Sequence, residues 1–262
     1  MEKSNITLVY FSATYTTKKV VKSIAEVFNH KMTEYDITQE IPDGDVIVDN
    51  NNILIVGVPV YAGRVPANAI EGLNRFKGNG NPAVIVCVYG NRDYDDALLE
   101  LKNVIQGNGF KVVSAGVFIG QHSIFHTVGK NRPDKEDITA TKEFAEKTVE
   151  LFTSISDTGF LEDIIVKGNM PYKIPGNIPI KPKGNKKCNK CGICVKLCPV
   201  TAIPSDLPRK TNKEKCISCG RCIVVCPQNA RHFDGILYKM ANKKFIKAFS
   251  GRKEPEMIFV KY

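Results

Sequence analysis

The sequence predicts an α/β protein in which a doubly wound sheet of five parallel strands is followed by a small cysteine-rich α+β domain. Two observations support this prediction. The first 156 residues alternate short apolar runs with stretches of helical periodicity, and eight of the nine cysteines lie between Cys188 and Cys226. The 262 residues, 43% of them hydrophobic, are sufficient for two globular domains. Because no apolar run is long enough to span a membrane and no secretory signal is present, we expect a cytoplasmic protein.

The predicted strands are continuous Val/Ile-rich runs separated by helical stretches. The strands lie at about 6–11, 32–37, 53–58, 83–89 and 112–119. The helices lie at about 16–30, 66–76, 94–106 and 138–155. A strand with a helix on each face has no polar side, so these runs predict a parallel sheet covered on both faces. A ligand of such a sheet binds beyond the carboxyl ends of the strands, which directs attention to the loops after the first, third and fourth strands.

The domain boundaries follow from a change in composition after residue 156. Residues 1–156 form the predicted α/β domain, residues 157–185 a linker, and residues 186–262 the cysteine-rich domain with a basic C-terminal extension. Four prolines and two glycines between residues 170 and 184 exclude a continuous helix or a central strand. We therefore expect an extended linker that packs on one or both domains.

The clustered cysteines form two copies of one motif. Each copy has the spacing C-x2-C-x2-C-x3-C-P, and alignment at an offset of 28 residues gives seven identities in sixteen positions. Such clustering in the reducing cell interior indicates metal binding rather than disulfides. In this motif three thiolates wrap one iron–sulfur cube, and the fourth reaches the other cube. The rule assigns the metal ligands to two sets, Cys188, Cys191, Cys194 and Cys226 in the first, and Cys216, Cys219, Cys222 and Cys198 in the second.

Structural zinc is the alternative, because zinc sites also use Cys-x2-Cys pairs. Zinc requires only two pairs for each site and does not account for the third cysteine and the Cys-Pro of each copy. The region from about 186 to 232 resembles bacterial two-cluster ferredoxins. This resemblance implies two [4Fe-4S] clusters.

The charge is distributed unevenly along the chain. Residues 1–156 carry 16 Lys+Arg against 19 Asp+Glu, a net charge of −3, whereas residues 157–262 carry 21 against 8, a net charge of +13. Two clusters with their thiolates, at about −2 each, offset part of this positive charge. Nucleic-acid binding is the other explanation of the basic half, but interleaved aromatic residues are sparse, so we expect none.

A candidate phosphate site follows the first predicted strand. Residues 11–17, FSATYTT, place hydroxyl groups at the start of a helix, where amide N–H groups and the helix dipole favour an anion. An ordinary Ser/Thr helix cap is the alternative. The segment resembles the flavodoxin phosphate loop, Ser/Thr-x-Thr-Gly-x-Thr, which binds the phosphate of FMN. The positions that carry over are Ser12, Thr14, Thr16 and Thr17. Tyr15 stands where the flavodoxin loop has glycine.

The loops after the third and fourth strands resemble the two flavodoxin loops that enclose the isoalloxazine ring. They comprise residues 59–66 and 89–94, with Tyr61 and Tyr94 as candidate stacking rings. The three loops together give the candidate FMN-binding residues, which are Ser12, Ala13, Thr14, Tyr15, Thr16, Thr17, Pro59, Val60, Tyr61, Ala62, Gly63, Arg64, Tyr89, Gly90, Asn91, Arg92, Asp93 and Tyr94.

Five further assignments concern single residues. Arg64 and Arg92 either stabilise negative charge on the flavin or are merely solvated, and Asp93 is either a flavin ligand or a helix cap. His122, after the fifth strand, is interpreted as a polar loop residue rather than a catalytic acid. Cys87 lies within an apolar strand and is predicted to belong to the core.

Residues 4–232 as a whole resemble the ferredoxin-fused flavodoxin family. The resemblance implies a flavodoxin-like sheet of strand order 2-1-3-4-5, FMN with two [4Fe-4S] clusters, and intracellular electron transfer in an anaerobe. No Gly-x-Gly-x-x-Gly motif is present, so a separate nicotinamide dinucleotide domain is not expected. The expected partners are low-potential redox proteins rather than membranes, and a homodimer is one conceivable assembly.

Three functions of different classes remain open. The first is an electron carrier or relay between redox proteins, and the second is an FMN-dependent reductase of a small substrate that receives electrons through the ferredoxin half. The third is a binding protein without cofactors or with zinc. Beyond His122, Tyr61 and Tyr94 the sequence shows no compelling proton donor near the flavin loops, which favours the carrier; no catalytic residue is assigned.

Overall fold

The computed structural model describes residues 5–154, 162–176 and 178–261. The strands are β1 (Ile6–Tyr10), β2 (Met32–Asp36), β3 (Val46–Ile47), β4 (Ile53–Pro59), β5 (Phe76–Lys77), β6 (Pro82–Tyr89), β7 (Lys111–Ile119), β8 (Lys183–Gly184), β9 (Arg231–His232) and β10 (Glu256–Phe259). The helices are α1 (Thr16–Val27), α2 (Ala67–Leu73), α3 (Ala97–Gly107), α4 (Lys135–Ser154), α5 (Ile193–Lys196), α6 (Arg221–Val224) and α7 (Ile236–Phe249). The last residue of the final predicted helix and the start of the predicted linker lie outside the described residues.

The central sheet has six strands in the order β10-β7-β6-β4-β1-β2. Strands β2, β1, β4, β6 and β7 are parallel and match the five strands predicted from the sequence, although β2, at the edge of the sheet, contains no Val or Ile. The α/β fold class with a parallel central sheet is therefore confirmed. Two short strands that the sequence did not predict, β3 and β5, pair with each other beside this sheet.

Helices cover both faces of the sheet. One hydrophobic cluster joins the sheet to α2 and α3 through residues such as Leu73, Leu98 and Ile105. A second cluster on the other face joins it to α1 and α4 through residues such as Val21 and Phe144. Strands β1, β4, β6 and β7 lie between two apolar layers, which explains why they read as largely apolar runs, whereas the edge strand β2 is partly exposed. Cys87 is fully buried in β6, as predicted.

The C-terminal extension returns to the α/β domain. The sequence analysis assigned it to the cysteine-rich domain, but β10 adds an antiparallel sixth strand beside β7. Helix α7 packs on the loop after β7, with the rings of Phe125 and Phe245 4.5 Å apart between centroids. The chain is thus anchored to the α/β domain after its cysteines.

The described part of the linker follows the surface of the α/β domain through specific polar contacts. Asp96 is buried, and its carboxylate accepts hydrogen bonds from the amides of Asn169, at 2.9 Å, and Lys173, at 2.7 Å. The amide side chain of Asn103 donates to the hydroxyl of Tyr172 at 2.6 Å. These contacts fix the direction in which the chain enters the cysteine-rich domain.

The cysteine-rich domain repeats its backbone conformation as well as its sequence. Gly192 and Gly220, 28 residues apart, precede α5 and α6 with φ values of 78° and 79°. Lys190 and Ser218 also share a positive φ at this offset, at 60° and 56°. Because glycine adopts such angles without strain, the repeated Cys-Gly step suits the turn that each copy makes. Strands β8 and β9 close the domain as an antiparallel pair.

Gly57 in β4 is expected to be essential for the packing of α1 on the sheet. A Cβ atom at this position would lie 2.2 Å from Cγ1 of Val21 and 3.0 Å from Cγ2 of Thr17. We expect Gly57→Ala to lower the free energy of unfolding by about 1–3 kcal/mol, because the helix must move away from the strand. Thermal unfolding checks this prediction, with Gly44→Ala as the control because a Cβ there has no neighbour within 4 Å. Equal melting temperatures for the two variants would contradict it.

None of the helices in the described ranges has the length and apolarity needed to cross a membrane.

Candidate functional site

A cavity of about 400 Å³ opens at the carboxyl ends of β1, β4, β6 and β7. This is the edge at which doubly wound sheets bind their ligands. Its volume lies within the range of ordinary small-molecule sites. The lining residues from the loops after these four strands are Thr14, Thr16, Thr17, Pro59, Val60, Tyr61, Ala62, Tyr89, Gly90, Arg92, Gly120, Gln121, His122, Ser123, Ile124 and Phe125.

The phosphate loop, residues 11–17, lies at one end of the cavity. Thr14, Thr16 and Thr17 line the cavity, and the hydroxyl oxygens of Thr14 and Thr16 are 3.4 Å apart. Tyr15 has a φ of 64°, the left-handed conformation that a glycine would adopt at this position. Ser12 is buried and instead accepts a hydrogen bond from the amide of Lys18 at 3.0 Å, so its hydroxyl serves the start of α1.

The two predicted ring loops contribute only some of their residues to the cavity. Pro59, Val60, Tyr61 and Ala62 line it from the loop after β4. From the loop after β6, the lining residues are Tyr89, Gly90 and Arg92. The tyrosines supply apolar ring surface, whereas the guanidinium of Arg92 pairs with the carboxylate of Asp95.

The structure corrects the expected position of Tyr94. Its ring is 1% exposed, and its hydroxyl donates to the carboxylate of Glu256 at 2.6 Å. Burial and this hydrogen bond raise the pKa of the Tyr94 phenol. Tyr94 is therefore a core residue that binds the C-terminal strand, and it is neither a stacking ring nor a proton donor at the cavity. Asn91 is also buried, and its side-chain amide donates to the backbone oxygens of Phe249 and Gly251.

Arg64 and Asp93 are engaged away from the cavity. The guanidinium of Arg64 pairs with the carboxylate of Glu100, with Nε 2.8 Å from Oε2, and donates to the backbone oxygen of Lys173. Asp93 accepts from Lys167 at 2.9 Å and from the amide of Asp95 at 3.0 Å, which favours the cap-like interpretation of this residue. A direct contact of either side chain with a ligand in the cavity is not supported.

The sequence analysis missed the residues that close the cavity from outside the α/β domain. Lys173, Gly176 and Ile178 come from the linker, and Phe245 comes from α7. Ile217 and Ser218 come from the second cysteine copy, between Cys216 and Cys219. No local pattern marks these residues, because only the packing of the linker and the cysteine-rich domain brings them to this edge of the sheet.

His122 is held as a neutral ring. Its Nδ1 atom accepts hydrogen bonds from the amides of Ile124 and Phe125, both at 3.1 Å, and its ring packs against Phe245. Burial lowers the pKa of His122 to about 4. The ring therefore does not provide an imidazolium proton near neutral pH, in agreement with its interpretation as a polar loop residue.

His122 is expected to make stability dependent on pH. Its pKa in the fold, about 4, is below the ordinary value of 6.5, so the unfolded chain binds a proton first as the pH falls. Stability is then complete above about pH 6.5 and decreases toward pH 4, with a loss of about 1 kcal/mol between pH 7 and pH 5.5. Thermal unfolding of His122→Asn, whose amide oxygen can still accept from the loop amides, should lack this decrease. The exposed His30→Asn is the control, and the same pH dependence in all three proteins would contradict the assignment.

The eight clustered cysteines lie in the two predicted sets. Cys188, Cys191, Cys194 and Cys226 line one small cavity. The thiol of Cys219 interacts electrostatically with those of Cys198, Cys216 and Cys222. The fourth cysteine of each copy is thus placed with the first three of the other copy, and ligation of one cluster by each set stays a prediction. In the described residues no three His, Cys, Asp or Glu side chains converge on a single-ion site.

Positive charge and hydrogen-bond donors surround the cysteines. Arg221 and Arg231 are buried, and the Nε atoms of both lack an acceptor among the described residues. Arg231 interacts with the thiols of Cys194 and Cys222, one from each set. Backbone amides of Ala202 and Ala230 donate to the sulfurs of Cys198 and Cys226, at 3.3 and 3.2 Å. Buried cations and N–H donors of this kind fit negatively charged iron–sulfur clusters.

The second set lies against the cavity. Cys219 is 8% exposed and belongs to the hydrophobic cluster of the α/β domain, against which Tyr61 and Ile217 pack. Burial and the Cys219 thiol raise the pKa of Tyr61 well above its usual value, so its hydroxyl stays protonated. A cluster in the second set and a ligand in the cavity would be separated only by residues such as Tyr61, Ile217 and Ser218.

The cavity fits a flavin mononucleotide in its chemistry. Threonine hydroxyls at a helix N-terminus suit a single phosphate, and Tyr61 and Tyr89 suit a flat aromatic ring. Arg92 and Lys173 also line the cavity, and both side chains pair with the carboxylate of Asp95.

Comparison with known families identifies the cysteine copies. A 4Fe-4S binding domain family matches residues 185–201, and a second 4Fe-4S binding domain family matches residues 210–232. Each match covers one copy of the cysteine motif. The C-terminal part therefore carries two segments that match 4Fe-4S binding families, and these matches favour iron–sulfur clusters over structural zinc.

Three similar proteins extend the comparison. An uncharacterised protein of Methanocaldococcus jannaschii is 26% identical over 136 residues, which are 50% of this chain and 87% of that protein. A Fusobacterium nucleatum flavodoxin bound to flavin mononucleotide is 14% identical, with 56% of this chain and 98% of that chain covered and a TM-score of 0.41. Rubredoxin oxygen:oxidoreductase from Desulfovibrio gigas is 14% identical, with 58% of this chain but only 38% of that chain covered and a TM-score of 0.39.

The fold and the family matches together define the chain. The order of its parallel strands and the cavity at their carboxyl ends make the N-terminal part flavodoxin-like. The chain thus joins an α/β domain with a flavodoxin-like order of parallel strands to a cysteine-rich part with two segments that match 4Fe-4S binding families.

Proposed function

We propose that this protein transfers electrons between two [4Fe-4S] clusters and one FMN, and exchanges them with low-potential redox proteins. One observation carries the proposal. Ile217 and Ser218, which lie between two cysteines of the second set, form part of the wall of the cavity after the sheet. A cluster and a flavin in these two places would be near neighbours within one chain.

Different residues of the chain would bind the flavin and the two clusters. Thr14, Thr16 and Thr17 would hold the FMN phosphate, and Tyr61 and Tyr89 would lie along the ring system. The first and second cysteine sets would each hold one cluster. When bound, FMN accepts one or two electrons whereas each cluster passes one, so the flavin couples single-electron partners to two-electron chemistry.

The fusion makes the exchange intramolecular. The linker contacts of Asp96, the packing of α7 and the addition of β10 to the sheet hold the two domains together. Electrons then pass between the centres without a diffusional encounter, in the manner of tethered binding sites.

A reductase of a small substrate is the second candidate, and one observation favours it. A second cavity of about 730 Å³ borders the first and shares with it Tyr61, Ala62 and Ile217. A carrier requires no such space beside the flavin. His122 is neutral, Tyr94 is buried and the pKa of Tyr61 is raised well above its usual value, so none of these three candidate proton donors is suited to give up a proton near neutral pH, and the carrier is the function that we favour.

Cofactor content tests the proposal directly. Protein purified without oxygen should contain about eight irons, eight sulfides and one FMN per chain. A visible spectrum recorded during stepwise reduction should show bleaching of both chromophores. Iron without flavin would leave a ferredoxin on a repurposed α/β domain, and zinc without colour would overturn the proposal entirely. A small electron acceptor that both perturbs the flavin spectrum on binding and is reduced with turnover would favour the reductase.

A further inference from the structure

We infer that Arg221 is a positioning residue that ties the phosphate loop to the second cysteine set, so that FMN binding and the docking of the ferredoxin-type domain strengthen each other. This inference rests on the proposed function and deepens it. Arg221 lies between Cys219 and Cys222 in the sequence, but its side chain extends into the α/β domain. It does not line the cavity, so it acts on the ligand only through the loop.

The guanidinium of Arg221 contacts the backbone of the phosphate loop. Its Nη1 atom donates to the backbone oxygen of Ala13 at 3.2 Å and to that of Ser12 at 3.4 Å. The side chain is buried, with 4% of the residue exposed. Loss of these acceptors would leave a buried cation without hydrogen bonds, which costs free energy. The contact therefore favours the loop conformation in which the carbonyls of Ser12 and Ala13 both face Arg221.

Tyr15 supplies the second contact. The guanidinium of Arg221 lies over its ring, 4.4 Å from the centroid, in a cation–π arrangement. Tyr15 has a positive φ, which an L-residue adopts only at a cost. The stacked arginine offsets this cost, which explains how a tyrosine occupies the position of a loop glycine.

The other end of Arg221 is fixed to the second cysteine set. Its backbone is hydrogen-bonded to the sulfur of Cys219. The preceding residue, Gly220, lies so close to the cavity loops that a Cβ there would be 3.1 Å from the backbone oxygen of Ser123 and 3.4 Å from Cγ2 of Thr14. A displacement of the phosphate loop would therefore disturb the backbone that carries a cluster ligand, and the converse also holds.

This arrangement predicts a reciprocal coupling. If docking of the second cysteine set favours the loop conformation that binds FMN, then FMN binding must favour the docked state by the same factor. The coupling is a property of Arg221 and Tyr15 rather than of the threonines that would contact the phosphate.

The test measures the FMN dissociation constant of flavin-free protein that retains its clusters, by anaerobic fluorescence titration with FMN. Arg221→Met should weaken binding by about tenfold or more, because a buried charged hydrogen-bond donor is lost. The dissociation constant of Arg221→Lys should be intermediate, since lysine keeps the positive charge but lacks the planar guanidinium group. Arg209→Met is the control, because the exposed Arg209 also donates to backbone oxygens in this domain, those of Lys186 and Cys188, away from the phosphate loop.

A second readout separates coupling from a general structural effect. Amide hydrogen exchange of residues 216–226 should slow on addition of FMN to the wild type and to Arg209→Met, but not to Arg221→Met. Iron content shows that each variant retains its clusters. If Arg221→Met does not fold, Tyr15→Gly, which removes the stacking ring at a φ that suits glycine, and Arg221→Lys test the same coupling.

The outcomes are distinguishable. Arg221→Met should raise the FMN dissociation constant by a smaller factor in the Tyr15→Gly background than in the wild type, because the two residues act as one unit. Equal FMN affinity of Arg221→Met and the wild type, with unchanged exchange at residues 216–226, would overturn the inference while the proposed function stands. A wild-type protein that binds no FMN would overturn both.

Discussion

Cys198→Ser is expected to remove the cluster beside the cavity and to leave the other cluster in place. Cys198 belongs to the first copy in sequence, but it lies with Cys216, Cys219 and Cys222 in the structure. Loss of the second-set cluster should remove about four of eight irons per chain. It should also abolish rapid electron exchange with the flavin, since the remaining cluster is the more distant one. Iron analysis and flavin reduction rates measured by rapid mixing check both effects.

Cys226→Ser is the matched control for this experiment. It removes the corresponding cysteine of the other copy, which lies with Cys188, Cys191 and Cys194. The iron loss should be the same, but the exchange between the remaining cluster and the flavin should be retained. The reverse pattern, in which Cys226→Ser abolishes the exchange and Cys198→Ser spares it, would refute the assignment of each fourth cysteine to the cluster of the other copy.

Replacement of two phosphate-loop threonines is expected to abolish FMN retention. Thr14→Val with Thr16→Val preserves side-chain shape but removes two hydroxyls that line the cavity 3.4 Å apart. Each hydrogen bond to a charged phosphate contributes about 1.5–3 kcal/mol, so the dissociation constant should rise by at least about a hundredfold. Iron content should not change, because valine keeps the shape of each threonine and neither residue supplies a cluster ligand.

The exposed threonine of α4, Thr153, provides the control as Thr153→Val, since its hydroxyl donates only to a backbone oxygen of its own helix. Unchanged FMN affinity in the double variant would show that the phosphate does not bind at this loop. Loss of iron together with flavin would instead indicate a general structural defect.

The parallel sheet and the cysteine sets could be predicted because their signals are local. A strand covered on both faces must be apolar at every position, so the runs that became β1, β4 and β6 were recognisable without knowledge of their neighbours. The cysteine spacing is set by the cube that it encloses, which makes the motif readable in the sequence.

The residues at the loop tips could not be assigned in the same way. Tyr61 and Tyr94 are both aromatic residues of rim loops, but only Tyr61 lines the cavity, because Glu256 in the distant C-terminal strand binds the hydroxyl of Tyr94. Likewise, Arg64 is drawn to Glu100 on α3 rather than to the cavity. Long-range partners decide such positions, and the sequence around each residue carries no trace of them.

The C-terminal segment shows the same limit on a larger scale. The basic composition of residues 233–262 gave no indication that Phe245 would line the cavity or that β10 would join the sheet. Tyr15 is the converse case. Its side chain is unlike that of glycine, but its backbone has a φ of 64°, in the left-handed region that glycine adopts readily. Arg221 from the other domain packs on the Tyr15 ring in this conformation.

We propose that electrons pass between a cluster and FMN within one chain. Rapid photochemical reduction of the oxidised protein, followed at cluster and flavin wavelengths, tests it most directly. We predict that the clusters reoxidise as the flavin is reduced, with one shared rate that does not change when the protein concentration is varied tenfold. A rate proportional to protein concentration, or flavin reduction without reoxidation of the clusters, would contradict the claim.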